Sequence, residues 1–112
     1  MISRSVMAAI LDSLKDPVLF ADTDHVTRYM NKAAIAHYTD GECQIGRSLL
    51  DCHNETSQAM MVEILAAMHE GLEEQRISGE EGHRIYMRAV RDPDGKVLGY
   101  YERYEPLPEP KA

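Results

Sequence analysis

The side chains of this sequence that carry ligand or redox chemistry are its five histidines, two cysteines and seven methionines. His53 stands apart among the histidines. It follows Leu50-Asp51-Cys52 and precedes Asn54, a residue suited to starting a helix. A neutral imidazole at that place has a lone pair to offer a metal. It equally has a ring N–H to give a backbone carbonyl or a helix end, and the residues alone leave both uses open. His25 and His83 fall in turns ahead of strand-like segments. His37 and His69 fall in the last turns of helix-like segments, where a cation suits the helix dipole. These four read as surface residues.

Cys43 and Cys52 do not form a C-x-x-C pair. They read as reduced thiols, with Cys52 a small buried apolar residue. Met60, Met61 and Met68 recur at helical spacing. Thioethers fill irregular space, so these methionines either line a pocket or pack a core. Glu73-Glu74 and Glu80-Glu81 flank no fixed ligand geometry and read as a solvated face. The chain has no phosphate-cradling glycine loop and no nucleophile elbow. Adjacent Cys52 and His53 do not make a nucleophilic dyad, because neighbouring side chains rarely converge. The expectation is a protein that binds rather than catalyses.

The elements that position these residues follow from periodicity. Val6, Ile10, Leu11 and Leu14 recur at helical spacing and predict a short amphipathic helix ended by Asp16-Pro17. Strands are predicted over 17–22 and 25–30, joined by Asp22-Thr23-Asp24. Asn31 is placed to cap a short helix to Tyr38, closed by Asp40-Gly41. Asn54 is placed to cap the longest helix, 55–70, whose apolar face is Met61, Ile64, Leu65 and Met68 and which Gly71 stops. Strands over 72–79, 83–91 and 96–105 complete the chain, the last two joined by the turn Asp92-Pro93-Asp94-Gly95. Helix, two strands, helices, three strands argues for an α+β domain with one antiparallel sheet.

At 112 residues the chain is the size of one domain. The expected division is an N-terminal helix at 1–15, a folded domain at 16–105 and a proline-rich tail at 106–112. A formal charge of −7 lacks the basic footprint that nucleic acid requires. No apolar run reaches the length of a membrane span, and no secretory leader is visible, so no nucleic-acid or membrane partner is expected and the expected location is cytoplasmic.

Three segments in the right order resemble the PAS family. Asn31-Lys32-Ala33-Ala34 after a strand is similar to the N-x-A segment opening the first PAS helix. Ile45-Gly46-Arg47-Ser48-Leu49 resembles a common PAS turn, and Arg91 to Gly99 resembles the hairpin joining the last two strands. The resemblance covers about residues 6–105 and implies a five-stranded antiparallel sheet with helices on one face and an N-terminal flanking helix. More narrowly, Leu50-Asp51-Cys52-His53 before a helix resembles the Cys-His dipeptide of PAS domains attached to hemerythrin-like domains. Haem-containing regulators that respond to carbon monoxide have their ligand histidine at the corresponding place.

That resemblance implies a small ligand or cofactor, with His53 as the haem ligand if haem is bound. The implied binding set is His53, Leu50, Met61, Leu65, Met68, Ile77 and Met87. Ile77 falls where those regulators have a methionine ligand and cannot coordinate iron, which leaves Met87 as a substitute. The reactive cysteine of flavin photosensors corresponds to Leu49, so that chemistry fits poorly. Two functions follow. One is a sensory, signal-transducing domain with a small molecule between the sheet and the 55–70 helix. The other is a ligand-free interaction module. Both expect a homodimer through the N-terminal helix, whose apolar stripe is too wide for one neighbour to cover.

Overall fold

The computed structural model describes residues 2–38, 45–80 and 83–106. Helix α1 spans Arg4–Ser13, with the Ser3 side chain accepting from the Val6 N–H. Strands β1 (Leu19–Asp22) and β2 (Thr27–Met30) follow as a hairpin. Helix α2 (Lys32–His37) begins at Asn31, whose side chain accepts from the Ala34 N–H. The expected stop at Asp40-Gly41 lies outside the described residues. A 3-10 turn over Leu49–Cys52 leads to α3 (Glu55–His69), capped by Asn54. Strands β3 (Glu74–Glu80), β4 (His83–Arg91) and β5 (Val97–Pro106) complete the chain.

The sheet is antiparallel with spatial order β2-β1-β5-β4-β3. The first strand therefore pairs with the last, and the two hairpin halves close on one another. Register assigns the faces, because opposed residues share a side. Leu19, Tyr100, Glu102, Met87 and Ile85 point inward, whereas Phe20, Tyr101, Arg103, Tyr86 and Arg88 point outward. This settles which of two tyrosines joins Tyr86 on the outer face: Tyr101 does, and Tyr104 faces inward opposite Ile85. The core lies between the inner face and α3. It contains Leu19, Ala21, Met30, Met87, Val97 and Tyr100 from the sheet, and Met61, Ile64, Leu65 and Met68 from the helix.

Two loops use the same device. In the β1–β2 turn, Asp22 Oδ1 accepts from the N–H groups of Asp24 and Val26. In the β4–β5 turn, Asp92 Oδ1 accepts from those of Asp94 and Lys96. Each loop then needs a left-handed residue: Gly95 at φ 87° in one, His25 at φ 63° in the other. Gly99 is required for another reason, since a Cβ there would overlap the Ala21 carbonyl oxygen across the β1–β5 pair.

Buried Asn31 holds the N-terminal third together. Its Oδ1 accepts from the Val18 and Ala34 N–H groups, and its Nδ2 donates to the carbonyls of Leu11 and Asp16. One side chain thus fixes α1, β1 and α2 relative to each other. At the far end, Arg91 donates to the carbonyls of Met68 and Leu72, closing the C-terminus of α3 against β4, and to Glu73. The acidic residues of the β3 approach are therefore partly committed: Glu73 to Arg91, and Glu74 to Arg103 and Arg88.

Candidate functional site

A cavity of about 340 Å³ opens between the inner face of the sheet and the N-terminal half of α3. Its wall is built from six places in the chain. β5 delivers Glu102 and Tyr104 by strand alternation, and β4 and β3 deliver Ile85 and Ile77. α3 delivers Ser57, Met60 and Met61 from its first two turns, while the end of α2 and the 3-10 turn deliver Tyr38 and His53.

Glu102 is the unusual wall residue. It is 4% exposed. Burial lifts its carboxyl above the ordinary carboxylate range, against the opposing pull of the Tyr38 hydrogen bond and the His53 and His37 imidazoles. Tyr38 donates its hydroxyl to Glu102 Oε2 at 2.9 Å. The Tyr38 oxygen also lies 2.7 Å from the Tyr104 hydroxyl, which in turn lies 3.3 Å from His37 Nε2. Burial, together with the neighbouring Glu102 and Tyr104, holds the Tyr38 phenol protonated far above the usual range. A hydrogen-bonded row thus runs from the surface imidazole of His37 to a carboxyl in the interior.

His53 makes both of the uses its sequence position left open compatible. Its Nδ1 lies 2.8 Å from the Leu49 carbonyl oxygen, so Nδ1 carries the proton and donates. In the neutral ring this leaves Nε2 with its lone pair, on a residue that lines the cavity. Gln58 steadies the same turn by donating to the carbonyls of Leu50 and His53.

Of the seven residues expected to bind, the structure brings three to the cavity: His53, Met61 and Ile77. Leu65, Met68 and Met87 are buried in the core, and Leu50 packs against it. Met87 is 0% exposed and lies in that packed cluster, so it is not placed to substitute as an iron ligand. Among the described residues no three His, Cys, Asp or Glu side chains gather as a metal-holding group.

Two expectations need correction. His25 is not a surface residue: it is buried, with Nδ1 2.7 Å from the Tyr100 hydroxyl. Its left-handed backbone turns the imidazole inward, and burial pushes its pKa below the ordinary 6.5 despite Asp22 and Asp24 nearby. Nor is Cys52 a reduced thiol, because it is disulfide-bonded. Its sulfur lies 3.5 Å from His53 Nδ1. The one other cysteine of the sequence, Cys43, lies outside the described residues.

The residues missed from the sequence are Glu102, Tyr38 and Tyr104. A signal was present. Alternation along β5 puts Tyr100, Glu102 and Tyr104 on one face, and a glutamate on a core-facing position is the anomaly worth following.

A second, apolar hollow of about 400 Å³ lies on the outer face, between Leu11 of α1 and Leu14 just after it, and Val18, Phe20, Tyr29 and Tyr101 of the sheet side. Above it Val6, Met7 and Ile10 stand exposed on α1.

Comparison with known proteins gives a consistent picture. A family profile described as PAS domain matches residues 7–105. The C-terminal domain of a protein from Streptococcus mutans superposes with TM-score 0.76 at 21% identity, covering 94% of this chain and 85% of that one. The PAS domain of BvgS from Bordetella pertussis superposes with TM-score 0.64 at 15% identity, covering 94% and 86%. The Aer2 receptor from Vibrio cholerae, a dual PAS-heme oxygen sensor, does so with TM-score 0.58 at 16% identity, covering 82% and 94%. No curated protein matches the sequence. At these identities the structural likeness speaks for the fold.

Proposed function

Because the chain belongs to the PAS domain family, whose members are typically sensory and non-catalytic signalling modules, we propose that it senses a small polar molecule held in the cavity between α3 and the inner sheet face. The observation that carries this reading is Glu102: a carboxyl with 4% exposure faces a cavity of about 340 Å³. A buried carboxyl is costly unless it is fully hydrogen-bonded. One built into a cavity wall is accounted for when a ligand completes it. The volume sits at the small end of the about 300–1,000 Å³ that ligand sites span. The His53, Met61 and Ile77 walls contact the ligand, and Leu50, Leu65, Met68 and Met87 support them from behind.

The test is a fragment screen by thermal shift on the wild type and on Ser57→Trp, which fills the cavity from α3. Hits that raise Tm in the wild type and lose the effect in Ser57→Trp support the reading. Hits that persist unchanged in the filled variant count against it.

Haem is supported by one feature, the His53 Nε2 lone pair. The rest of the site does not fit it. The cavity is too small for a porphyrin, its wall carries a buried carboxyl and two phenols where a macrocycle needs apolar faces, and neither Ile77 nor Met87 supplies a second ligand. Protein purified with haem supplied is expected to show no Soret band. A band that His53→Ala removes, and His37→Ala and His69→Ala leave, would reverse this judgement.

The output surface of the proposed sensor is α1. Its exposed Val6, Met7 and Ile10 and the hollow under Leu11 and Leu14 form one apolar area, and a second copy of the chain would cover it in a two-fold pair. Asn31 ties α1 to β1 and α2, and β1 pairs with β5, the strand bearing Glu102. In the ligand-free alternative this pairing surface acts alone and the cavity has no role, which the filled variant distinguishes.

A further inference from the structure

The hydrogens around Glu102 determine what kind of molecule the cavity takes, provided the cavity is the ligand site argued above. Tyr38 has one hydroxyl hydrogen and gives it to Glu102 Oε2. The 2.7 Å contact between the Tyr38 and Tyr104 hydroxyls must then be made with the Tyr104 hydrogen. Both phenol hydrogens point along the row toward the carboxyl rather than into the cavity. Among the described residues no donor reaches Glu102 Oε1, on a residue 4% exposed that lines the cavity. His53 Nδ1 has its proton committed to the Leu49 carbonyl, so Nε2 is an acceptor in the neutral ring. Among the described residues no lysine or arginine lines the cavity. The wall thus carries a carboxyl with one oxygen open to a donor and, in the neutral ring, an imidazole lone pair, together with the Ser57 hydroxyl and His37. The carboxylate and the lone pair are acceptors, Ser57 can act either way, and they stand beside the apolar walls of Met60, Met61, Ile77 and Ile85.

We propose that the ligand is a small organic base with a compact apolar body, a protonated amine or an N–H-bearing heterocycle, whose nitrogen donates to Glu102 Oε1 and toward His53. An anion finds the Ser57 hydroxyl but must sit against a buried carboxyl with no lysine or arginine to offset it, so it is disfavoured. A neutral molecule without donors leaves Oε1 unsatisfied. A nitrogen cation compensates the buried charge and supplies the missing hydrogen, and charge-assisted bonds of this type are about twice as strong as neutral ones. The formal charge of −7 favours the approach of a cation over that of an anion.

The experiment compares three probes of one shape: benzylamine, benzyl alcohol and benzoate. Each is titrated at pH 7 into the full chain carrying ¹³C-methyl methionine, with the Met60 and Met61 methyl signals as readout. Benzylamine is expected to bind about tenfold tighter than benzyl alcohol, with benzoate weakest. Glu102→Gln keeps an acceptor for Tyr38 and removes the charge. It is expected to weaken benzylamine about tenfold and leave benzyl alcohol within twofold. Should that variant fail to fold, the ranking of the three probes on the wild type decides alone. If benzyl alcohol or benzoate moves Met60 and Met61 as strongly as benzylamine, or if benzylamine is indifferent to Glu102→Gln, the ligand class is wrong while the cavity remains a binding site. If no probe moves either methyl at millimolar concentration, the class and the cavity reading fail together.

Discussion

At the scale of single residues, Glu102 and His25 give opposite pH signatures. Burial raises the Glu102 carboxyl above its ordinary 4.5 in the folded chain. Between 4.5 and the raised value the folded state therefore holds a proton that the unfolded state has released, and above it both are ionised. The stability this contributes is complete below 4.5 and is lost as pH rises through the raised value. Glu102→Gln is expected to remove that loss and raise Tm at pH 7 by several degrees, at about 4–8 °C per kcal/mol recovered. Thermal melts across pH 4 to 8 check it; a variant less stable than wild type at pH 7 would show that the charged carboxyl is satisfied by the protein itself. His25 runs the other way. Its folded pKa lies below 6.5, so its contribution is present above 6.5 and is lost as pH falls through the depressed value. His25→Asn tolerates the left-handed turn and is expected to flatten the acid limb of the same melts.

Buried Asn31 is the residue on which most local order depends. Asn31→Ala leaves the Val18 and Ala34 N–H groups and the Leu11 and Asp16 carbonyls without their partner. The expected loss is about 2–4 kcal/mol by urea denaturation. A loss under 1 kcal/mol, on the order of one exposed cap, would show that water replaces it. Asn31 was legible in the sequence as a helix cap, because Asn before a helical run has one recurrent local use. Its reach to α1 was not, since nothing in spacing says that Leu11 and Asp16 come within hydrogen-bond distance of a residue far along the chain. His25 was misjudged for the same reason: a turn position reads as solvent, and only the pairing of β1 with β5 brings Tyr100 beneath it.

At the scale of elements, the sequence was most informative where physics is local. Periodicity placed α3 and its buried face, and the Asp22 and Asp92 loops announced both hairpins. The order β2-β1-β5-β4-β3 is a non-local fact, yet alternation within β5 already carried the site. Gly99 tests that strand's place. Its φ is 153°, and a Cβ there meets the Ala21 carbonyl oxygen and the Phe20 ring. Gly99→Ala is expected to cost about 3 kcal/mol, because the β1–β5 pairing must shift. Gly95→Ala, with nothing near its Cβ, is expected to cost only about 1 kcal/mol of backbone strain. Equal costs at the two glycines in chemical denaturation would contradict the close approach of β1 to β5.

At the scale of the whole molecule, one sheet separates two surfaces of different character. The inner face has a small cavity with a buried acid. The outer face has an apolar hollow beside an exposed apolar helix, and its other end is charged, with Arg103 stacked over Tyr86 and paired with Glu74 and Glu105. Among the described residues no helix is long and apolar enough to cross a membrane. The proposed dimer is expected from light scattering as twice the 12.7 kDa chain mass. The double variant Val6→Asp and Ile10→Asp, at exposed positions, is expected to return a folded monomer. A wild type that remains monomeric at high concentration would refute the pairing.

The central claim is that the cavity beside Glu102 is the place where this chain takes its ligand. The most direct measurement is a set of intermolecular NOEs between a bound amine fragment and the methyl groups of the labelled protein. The account predicts contacts to Met60, Met61 and Ile77, absent in Ser57→Trp. Contacts to Leu11, Leu14 and Val18 instead would place binding in the outer hollow and contradict it.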